Sequence, residues 1–316
     1  YRMFNRCPHP DCYAQMPVAT HVCPTCATEH TRLWPSVYGV LHHRCATCDT
    51  SLPTIDLLGR NELTKKCTEC NRPMNLEIGS ATDVHIPVVG GPSTGKSNFM
   101  IMAFNGFIEE YAPKRGYLTA FSDERDQTRY EQEIARLDVG TELGKTPEVT
   151  PWAYTLSVKR DGRRPGHLIY LYDAAGEAYL SEDNALLQTY YRYVHGIIFV
   201  IDPFSIPVVR TKYEDELRTL DGLRPSSLDL MAAYERMLRV IEASPRLQRG
   251  SKFPQPLAVV ISKTDALDLE EQIGDPAATA LMNSDTSILL PEDAVSELVE
   301  QFLVNNGMEN FVRNLH

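Results

Sequence analysis

Apolar positions fall into two textures that meet near residue 80. Beyond it, four near-continuous apolar runs stand out: Val84–Val89, Leu168–Tyr172, Gly196–Ile201 and Leu257–Ile261. Short runs with no polar face predict strands covered on both sides, as in a parallel sheet. Trp152–Val158 predicts a further strand. The Asp161-Gly162 turn is expected to join it to Leu168–Tyr172 as an antiparallel hairpin. Helices are predicted over Lys96–Tyr111, Ser122–Leu137, Ala185–Tyr193, Leu228–Ala243 and Pro291–Leu303, with a short last one in Gly307–His316. Ser122 is the expected N-cap of the second, with Asp123 and Glu124 in its first turn. Strands alternating with helices predict an α/β fold. Before residue 80 the chain is rich in Pro and Cys, with short apolar pieces at Leu33–Leu41 and Leu52–Leu58. The expected division is a small module at 1–80 and an α/β domain at 81–316, joined by a polar connector, Ile78–Asp83.

The strand ends carry the chemistry. In open α/β sheets, ligands bind at the carboxyl ends of strands. The first run ends in Gly90-Gly91-Pro92-Ser93-Thr94-Gly95-Lys96-Ser97-Asn98, the spacing of a phosphate-binding loop. Its glycines let backbone N–H groups turn toward phosphate oxygens, and the helix that follows adds its positive dipole end. Lys96 would reach the β- and γ-phosphates, and the Ser97 hydroxyl would hold Mg²⁺. The second run ends in Asp173-Ala174-Ala175-Gly176-Glu177. Asp173 is the expected carboxylate behind that Mg²⁺, and the Gly176 N–H is placed to bond a γ-phosphate oxygen. The third run ends at Asp202-Pro203 and the fourth in Ser262-Lys263-Thr264-Asp265. The Asp265 carboxylate suits the N1–H and N2–H₂ donors of guanine, which adenine lacks. The Lys263 stem is expected to lie over the base.

All eight cysteines precede residue 71, in four close pairs: Cys7/Cys12, Cys23/Cys26, Cys45/Cys48 and Cys67/Cys70. Such pairs place two thiolates on one tetrahedral Zn²⁺ from a single tight turn, and they predict metal sites rather than disulfides. The expected grouping is Cys7, Cys12, Cys23 and Cys26 on one zinc and Cys45, Cys48, Cys67 and Cys70 on a second. A crossed grouping, first pair with third and second with fourth, stays open. Four cysteines saturate each site, so His9, His21, His42 and His43 are expected to be surface or supporting residues. No phosphate-loop group is a zinc ligand, so the nucleotide half is expected to stand without the zinc module.

Charge narrows the function classes. The net charge is −11, with eight Lys+Arg against seven Asp+Glu in residues 1–80 and 23 against 35 beyond. An acidic main domain argues against a broad nucleic-acid footprint or an anionic-membrane patch. Two Cys-only zinc sites would also turn the first 80 residues net negative, which disfavours a nucleic-acid reader there. No stretch has the length of about 18 apolar residues that a membrane helix needs. No secretory signal is legible, and a cytoplasmic location is expected. The chain opens on Tyr1 rather than Met, which weakens the argument from a missing signal.

Taken together, GGPSTGKS, the strand plus DAAGE, the strand IIFVID and SKTD resemble the Ras-like, translation-factor-related (TRAFAC) GTPases over roughly residues 84–316. The resemblance implies a P-loop NTPase three-layer sheet, mostly parallel with one antiparallel hairpin strand, preceded here by a zinc-ribbon module. It implies GTP and GDP as ligands, Mg²⁺, and hydrolysis coupled to a mobile switch segment. A switch threonine should precede the Trp152 strand: Thr146 is the choice, with Thr141 and Thr150 as rivals. Glu177 stands where the family has a water-orienting glutamine. Ser262 replaces the asparagine that normally braces the phosphate loop. The regions Pro113–Gly144 and Phe204–Pro256 are longer than in a minimal domain, and the second is expected to add a helix. The family's last strand and its base-binding loop are not legible after Leu303, so the sheet is expected to lack that strand or the chain to be a fragment. Two zinc sites before a GTPase also resemble the double-GTPase families of bacterial conflict operons, which implies a regulatory GTPase in a defence-type assembly.

The expected function is a GTP-hydrolysing regulatory switch with two Zn²⁺, a protein partner or oligomer contacted through the zinc module or switch regions, and no membrane or nucleic-acid partner. The rivals are a nucleotide-binding scaffold with negligible hydrolysis, which Glu177 keeps alive, and an ATP-using P-loop enzyme, which Asp265 opposes.

Overall fold

In the computed structural model, residues 5–9, 12–16, 19–34, 40–140, 152–160, 166–173, 194–220, 223–227, 229–242, 255–282 and 291–315 are described. The N-terminal part is built from short strands: β1 (Asn5–Arg6), β2 (Gln15–Met16), β3 (Thr20–Val22), β4 (Glu29–His30), β5 (His42–Arg44), β6 (Ser51–Pro53), β7 (Lys65–Lys66) and β8 (Pro73–Met74). Strands β4-β3-β7-β8 form one small sheet, while β1-β2 and β5-β6 are hairpins.

The larger part is a six-stranded sheet in the order β10-β11-β12-β9-β13-β14. Its strands are β9 (Thr82–Val89), β10 (Tyr117–Phe121), β11 (Trp152–Arg160), β12 (His167–Asp173), β13 (Ile197–Ile201) and β14 (Leu257–Ile261). The four apolar runs are the parallel strands β12, β9, β13 and β14. Strand β11 pairs antiparallel with β12 as the hairpin pattern required; the Asp161-Gly162 turn lies outside the described residues. Side chains alternate between two cores, as a pleated sheet demands. Val88, Leu171 and Val200 face Met100, Ile101 and Phe104 of the helix Lys96–Gly106. Val89, Tyr170, Tyr172, Phe199 and Ile201 face the helix Leu230–Glu242, the C-terminal helices Pro291–Asn305 and Glu309–Leu315, and part of the cysteine-rich unit.

Several expectations are corrected. The helix Lys96–Gly106 does not run on regularly to Tyr111 but widens into a π-turn at Phe107–Tyr111. The second helix spans Glu124–Asp138 and is capped by Asp123, whose side chain accepts from Arg125 N–H. Ser122 instead donates its N–H to the Thr155 carbonyl at 3.0 Å, one step along the sheet. Strand β10 had no sequence signal of its own. Its residues Tyr-Leu-Thr-Ala-Phe are only half covered, because β10 is an edge strand paired with β11 alone among the described residues. At the other edge, no described strand pairs beyond β14. The expected helix at Ala185–Tyr193 lies outside the described residues.

Pro87 breaks the ladder inside this sheet. It has no N–H to give, and β13 pairs with β9 only at Ile198↔Val88 and Phe199↔Val89. Upstream, His195 replaces a strand: its N–H donates to the His85 carbonyl at 2.9 Å, and its Nδ1 accepts the His85 N–H at 3.1 Å. That acceptor role requires a neutral ring, and burial lowers the His195 pKa accordingly.

The connector Ile78–Asp83 packs into the fold through its apolar residues. Ile78 and Ala81 are buried in the core shared by the two parts. The buried Lys65 ammonium donates to the Leu76 carbonyl and, at 2.7 Å, to the Ile78 carbonyl; burial lowers its pKa to about 8. Glu77 Oε2 accepts from the Ser157 hydroxyl at 2.6 Å, and Asn75 Nδ2 donates to the Ser122 carbonyl at 3.3 Å.

Asp83 is the costly residue at this junction. Burial pushes its carboxyl up to about 7, against partial relief from the Arg6 backbone N–H. The folded protein therefore holds a proton that the unfolded chain, with a carboxyl near 4, has lost. Stability is expected to fall as pH rises from about 4 to 7 and then level off. Asp83→Asn should flatten that slope and raise the melting temperature at pH 8 by several degrees, read by thermal melts across pH. A slope unchanged by the substitution would refute the assignment.

Candidate functional site

The cysteines come together in two clusters, neither grouped as expected. Cys7, Cys12, Cys67 and Cys70 form one; Cys23, Cys26, Cys45 and Cys48 form the other. The arrangement is nested: first pair with fourth, second with third. A tetrahedral zinc with Zn–S near 2.3 Å requires S···S edges of about 3.8 Å. Here Cys7–Cys70 and Cys12–Cys67 are both 3.7 Å apart, Cys23–Cys48 is 3.6 Å and Cys26–Cys45 is 3.5 Å. Each pair closes on a residue with positive φ directly after its second cysteine: Tyr13 (48°), Ala27 (57°), Asp49 (58°) and Asn71 (55°). That residue returns its N–H to the turn, as in Ala27 to the Cys23 carbonyl at 3.0 Å and Asp49 to the Cys45 carbonyl at 2.9 Å. The donor set and its spacing fit zinc at both clusters.

The grouping has a reason that spacing alone missed. The second and third pairs share the string Cys-x-Thr-Cys-x-Thr. The two copies face each other: Cys26 Sγ lies 3.1 Å from Thr28 Oγ1, and Cys48 Sγ 3.1 Å from Thr50 Oγ1. Thr28 donates across to Thr47 and Thr50 to Thr25, each at 3.0 Å. Such partners orient and stabilise thiolates. Among the histidines, His9 Nδ1 sits 3.1 Å from Cys7 Sγ, and His43 bonds the Trp34 carbonyl at 2.9 Å.

In the six-stranded sheet, the strand register sets the phosphate loop. Asp173 pairs with Val88, so β12 ends level with the start of the loop. The Ser97 hydroxyl then donates to Asp173 Oδ2 at 2.9 Å. The loop is tightly built. A Cβ on Gly90 would lie 2.6 Å from the Val200 carbonyl oxygen and 2.9 Å from Thr94 Oγ1. Gly95 opens the helix at φ 80°, and Ser93 takes φ 58°. The Thr94 hydroxyl donates to the Gly91 carbonyl at 2.9 Å. The buried Lys96 ammonium folds back onto the Gly90 and Gly91 carbonyls, at 3.1 and 2.8 Å. Pro92 is half-buried and Asn98 exposed.

The SKTD loop follows β14, whose Ile261 pairs with Ile201. The Ser262 hydroxyl donates to the Ile201 carbonyl at 3.0 Å rather than to a loop carbonyl, but its Cβ lies 3.6 Å from where a Gly95 Cβ would stand. The Ser262 hydroxyl is thus committed to β13, and its side chain faces Gly95 of the phosphate loop across that gap. Asp265 is exposed. The Lys263 ammonium is engaged with Asp202 Oδ2 at 2.8 Å and the Arg224 carbonyl at 2.7 Å. Thr141, Thr146, Thr150, Gly176 and Glu177 lie outside the described residues. Of the arginines before β11, Arg125 pairs outward with Asp123 at 2.7 Å, whereas Arg129 bonds Glu133 at 3.0 Å and lies 5.8 Å from the Tyr154 ring centroid.

A family model described as Double-GTPase 2 matches residues 84–306, from within β9 to the end of the helix Pro291–Asn305. The chain belongs to the Double-GTPase 2 family. Membership carries GTPase-type binding of a guanine nucleotide as its coarse function. No curated protein matches the chain. The two cysteine clusters lie ahead of the matched segment, so zinc binding in this double-GTPase chain rests on the clusters themselves. Among the described residues no helix is long and apolar enough to cross a membrane.

Proposed function

We propose that the protein is a Mg²⁺-dependent GTP-binding and GTP-hydrolysing switch whose nucleotide domain, 81–316, is coupled to a double-zinc module, 1–80. The observation that carries this reading is the convergence, at one end of the sheet, of Lys96 and Ser97, which open the helix after β9, with Asp173, the last residue of β12. Ser97 and Asp173 would hold Mg²⁺, which neutralises charge on the β- and γ-phosphates when bound. The loop amides from Gly90 to Asn98 would cradle the phosphates. Lys96 would exchange its two carbonyl partners for phosphate oxygens, so it is already shielded where it is needed. Gly176 and Thr146 would sense the γ-phosphate, roles that rest on the family resemblance. Ser262, Lys263 and Asp265 would form the base side.

Glu177 favours slow hydrolysis in the isolated protein. An ionised carboxylate accepts hydrogen bonds but does not donate, and it adds negative charge beside the γ-phosphate. A partner or second copy would then complete the site. Trp34, Val40 and Leu57, all well exposed on the second zinc unit, support a protein partner there. A cytoplasmic location is part of the same reading.

The test is the nucleotide preference of Asp265→Asn. The parent is expected to bind GTP far more tightly than ATP in the presence of Mg²⁺, and Asp265→Asn to lose roughly 100-fold for GTP while gaining for xanthosine triphosphate, whose base offers an acceptor where guanine has a donor. Calorimetry giving equal GTP and ATP affinities for the parent would sink the assignment.

A further inference from the structure

The base side of the site holds a buried charge pair that the reading above leaves without a task. Asp202 directly follows β13 and is fully buried. A buried carboxylate persists only when its lone pairs are met. Asp202 Oδ1 accepts the Phe204 N–H at 3.0 Å; Oδ2 accepts the Ser226 N–H at 2.7 Å and the Lys263 ammonium at 2.8 Å. Lys263 takes φ 53°, a left-handed conformation unfavourable for lysine. Its ammonium also donates to the Arg224 carbonyl. Arg210 Nη2 donates to the Ser226 carbonyl at 3.2 Å. Residues 223–227, which form no helix or strand, are thus tied to Asp202, Lys263 and Arg210. They lie against the first residues of SKTD, with the side chains of Arg224 and Ser227 exposed.

Guanine recognition needs two chemistries. The N1–H and N2–H₂ edge needs an acceptor, which Asp265 supplies. The O6 edge needs a donor, which a carboxylate does not supply. The Lys263 ammonium is committed to Asp202 and Arg224. No described strand follows β14 in the sheet to bring a further base loop. On the guanine reading, the segment that touches Lys263 through the Arg224 carbonyl borders the base side, and among the described residues it carries exposed donors in the Arg224 and Ser227 side chains.

We propose that residues 223–227, fixed by the Asp202–Lys263 pair, form the wall of the guanine pocket that supplies the donor for O6. Asp202 and Lys263 act as positioning residues for that wall. This rests on the guanine reading of the same site.

The test compares GDP, IDP and ADP on the full zinc-loaded chain, by competition against a fluorescent guanine nucleotide. Asp202→Asn keeps the shape and the cap to Phe204. Lys263→Met keeps the stem and removes only the ammonium that bonds Asp202 and the Arg224 carbonyl. Each should weaken GDP and IDP together by about tenfold, because both carry O6, and leave ADP unchanged. The GDP-to-ADP ratio then falls while the GDP-to-IDP ratio holds, since Asp265 still reads the other edge. The double variant should be no weaker than the weaker single, the signature of one coupled unit. Equal weakening of all three nucleotides, or no change in either variant, would overturn the inference. A parent that binds GDP and ADP alike would instead remove the guanine reading itself.

Discussion

Cys67→Ser is expected to cost the protein one zinc, about 10 °C or more of melting temperature, and at least tenfold in nucleotide affinity, whereas Cys45→Ser costs one zinc and little else. The difference lies in what each cluster touches, and for the first cluster it replaces the expectation that the nucleotide half stands without the zinc module. Cys7, Cys67, Tyr13, Met74 and Ile78 belong to the same core as Tyr170, Tyr172 and Phe199 of the nucleotide-domain sheet. Cys23 and Cys45 pack in a separate small cluster with Leu52 and Leu63. The first cluster also bonds the sheet. The Tyr172 hydroxyl donates to the Pro8 carbonyl at 3.3 Å, one residue from Cys7, and His85 Nδ1 lies 2.8 Å from the same hydroxyl. Tyr172 immediately precedes Asp173, the carboxylate that Ser97 contacts. Structural zinc contributes folding free energy outright, about 10–16 kcal/mol in small peptides. A domain of this size loses roughly 2–4 °C per kcal/mol. Losing even a third of the zinc contribution at the first cluster therefore unsettles β12 and the phosphate-side end of the sheet. Elemental analysis, thermal melts and calorimetry on the two variants decide the point; equal effects would show that the clusters are equivalent and that the nucleotide domain stands alone.

What the sequence disclosed follows from where burial is complete. The parallel strands β9, β12, β13 and β14 are apolar on both faces, and their limits were readable to within two residues. The phosphate loop was legible because its chemistry needs glycines and a lysine at fixed spacing. Strand β10 was not, because it is an edge strand in which no residue is fully buried and alternate ones face solvent. The zinc grouping was misread because nearness in sequence was taken for nearness in space. The nested order arises because β3 pairs antiparallel with β7, Thr20 with Lys66 and His21 with Lys65, which sends the fourth pair back toward the first. The repeated Cys-x-Thr-Cys-x-Thr string was the available signal, since two like turns that share threonine bonds pack best against each other. Asp202 could not be singled out by type or spacing; only the fold shows that Lys263 turns to it.

Gly90→Ala is expected to abolish tight nucleotide binding while the chain still folds. The new Cβ would stand 2.6 Å from the Val200 carbonyl oxygen, a contact that real Cβ atoms essentially never make. Val200 lies inside β13 between two neighbouring strands, so the carbonyl is held by the sheet and cannot retreat. Thr94 Oγ1, at 2.9 Å, is held in turn by the Gly91 carbonyl. The loop itself must move, and it moves at the residue whose carbonyl now receives the Lys96 ammonium. A displacement of about an ångström in groups that position phosphate is enough for losses of roughly 100-fold. The strain is local to one turn, so the melting temperature should fall by only a few degrees. Gly106→Ala is the matching control: its Cβ meets nothing within 4 Å and its φ of −59° is helical. There alanine should stabilise by about 0.5–1 kcal/mol, the usual helix-interior gain over glycine, and leave binding intact. Calorimetry with GTP and Mg²⁺ separates the two. Parent-like affinity in Gly90→Ala would mean that phosphate does not bind in this loop, and the nucleotide site would have to be sought elsewhere.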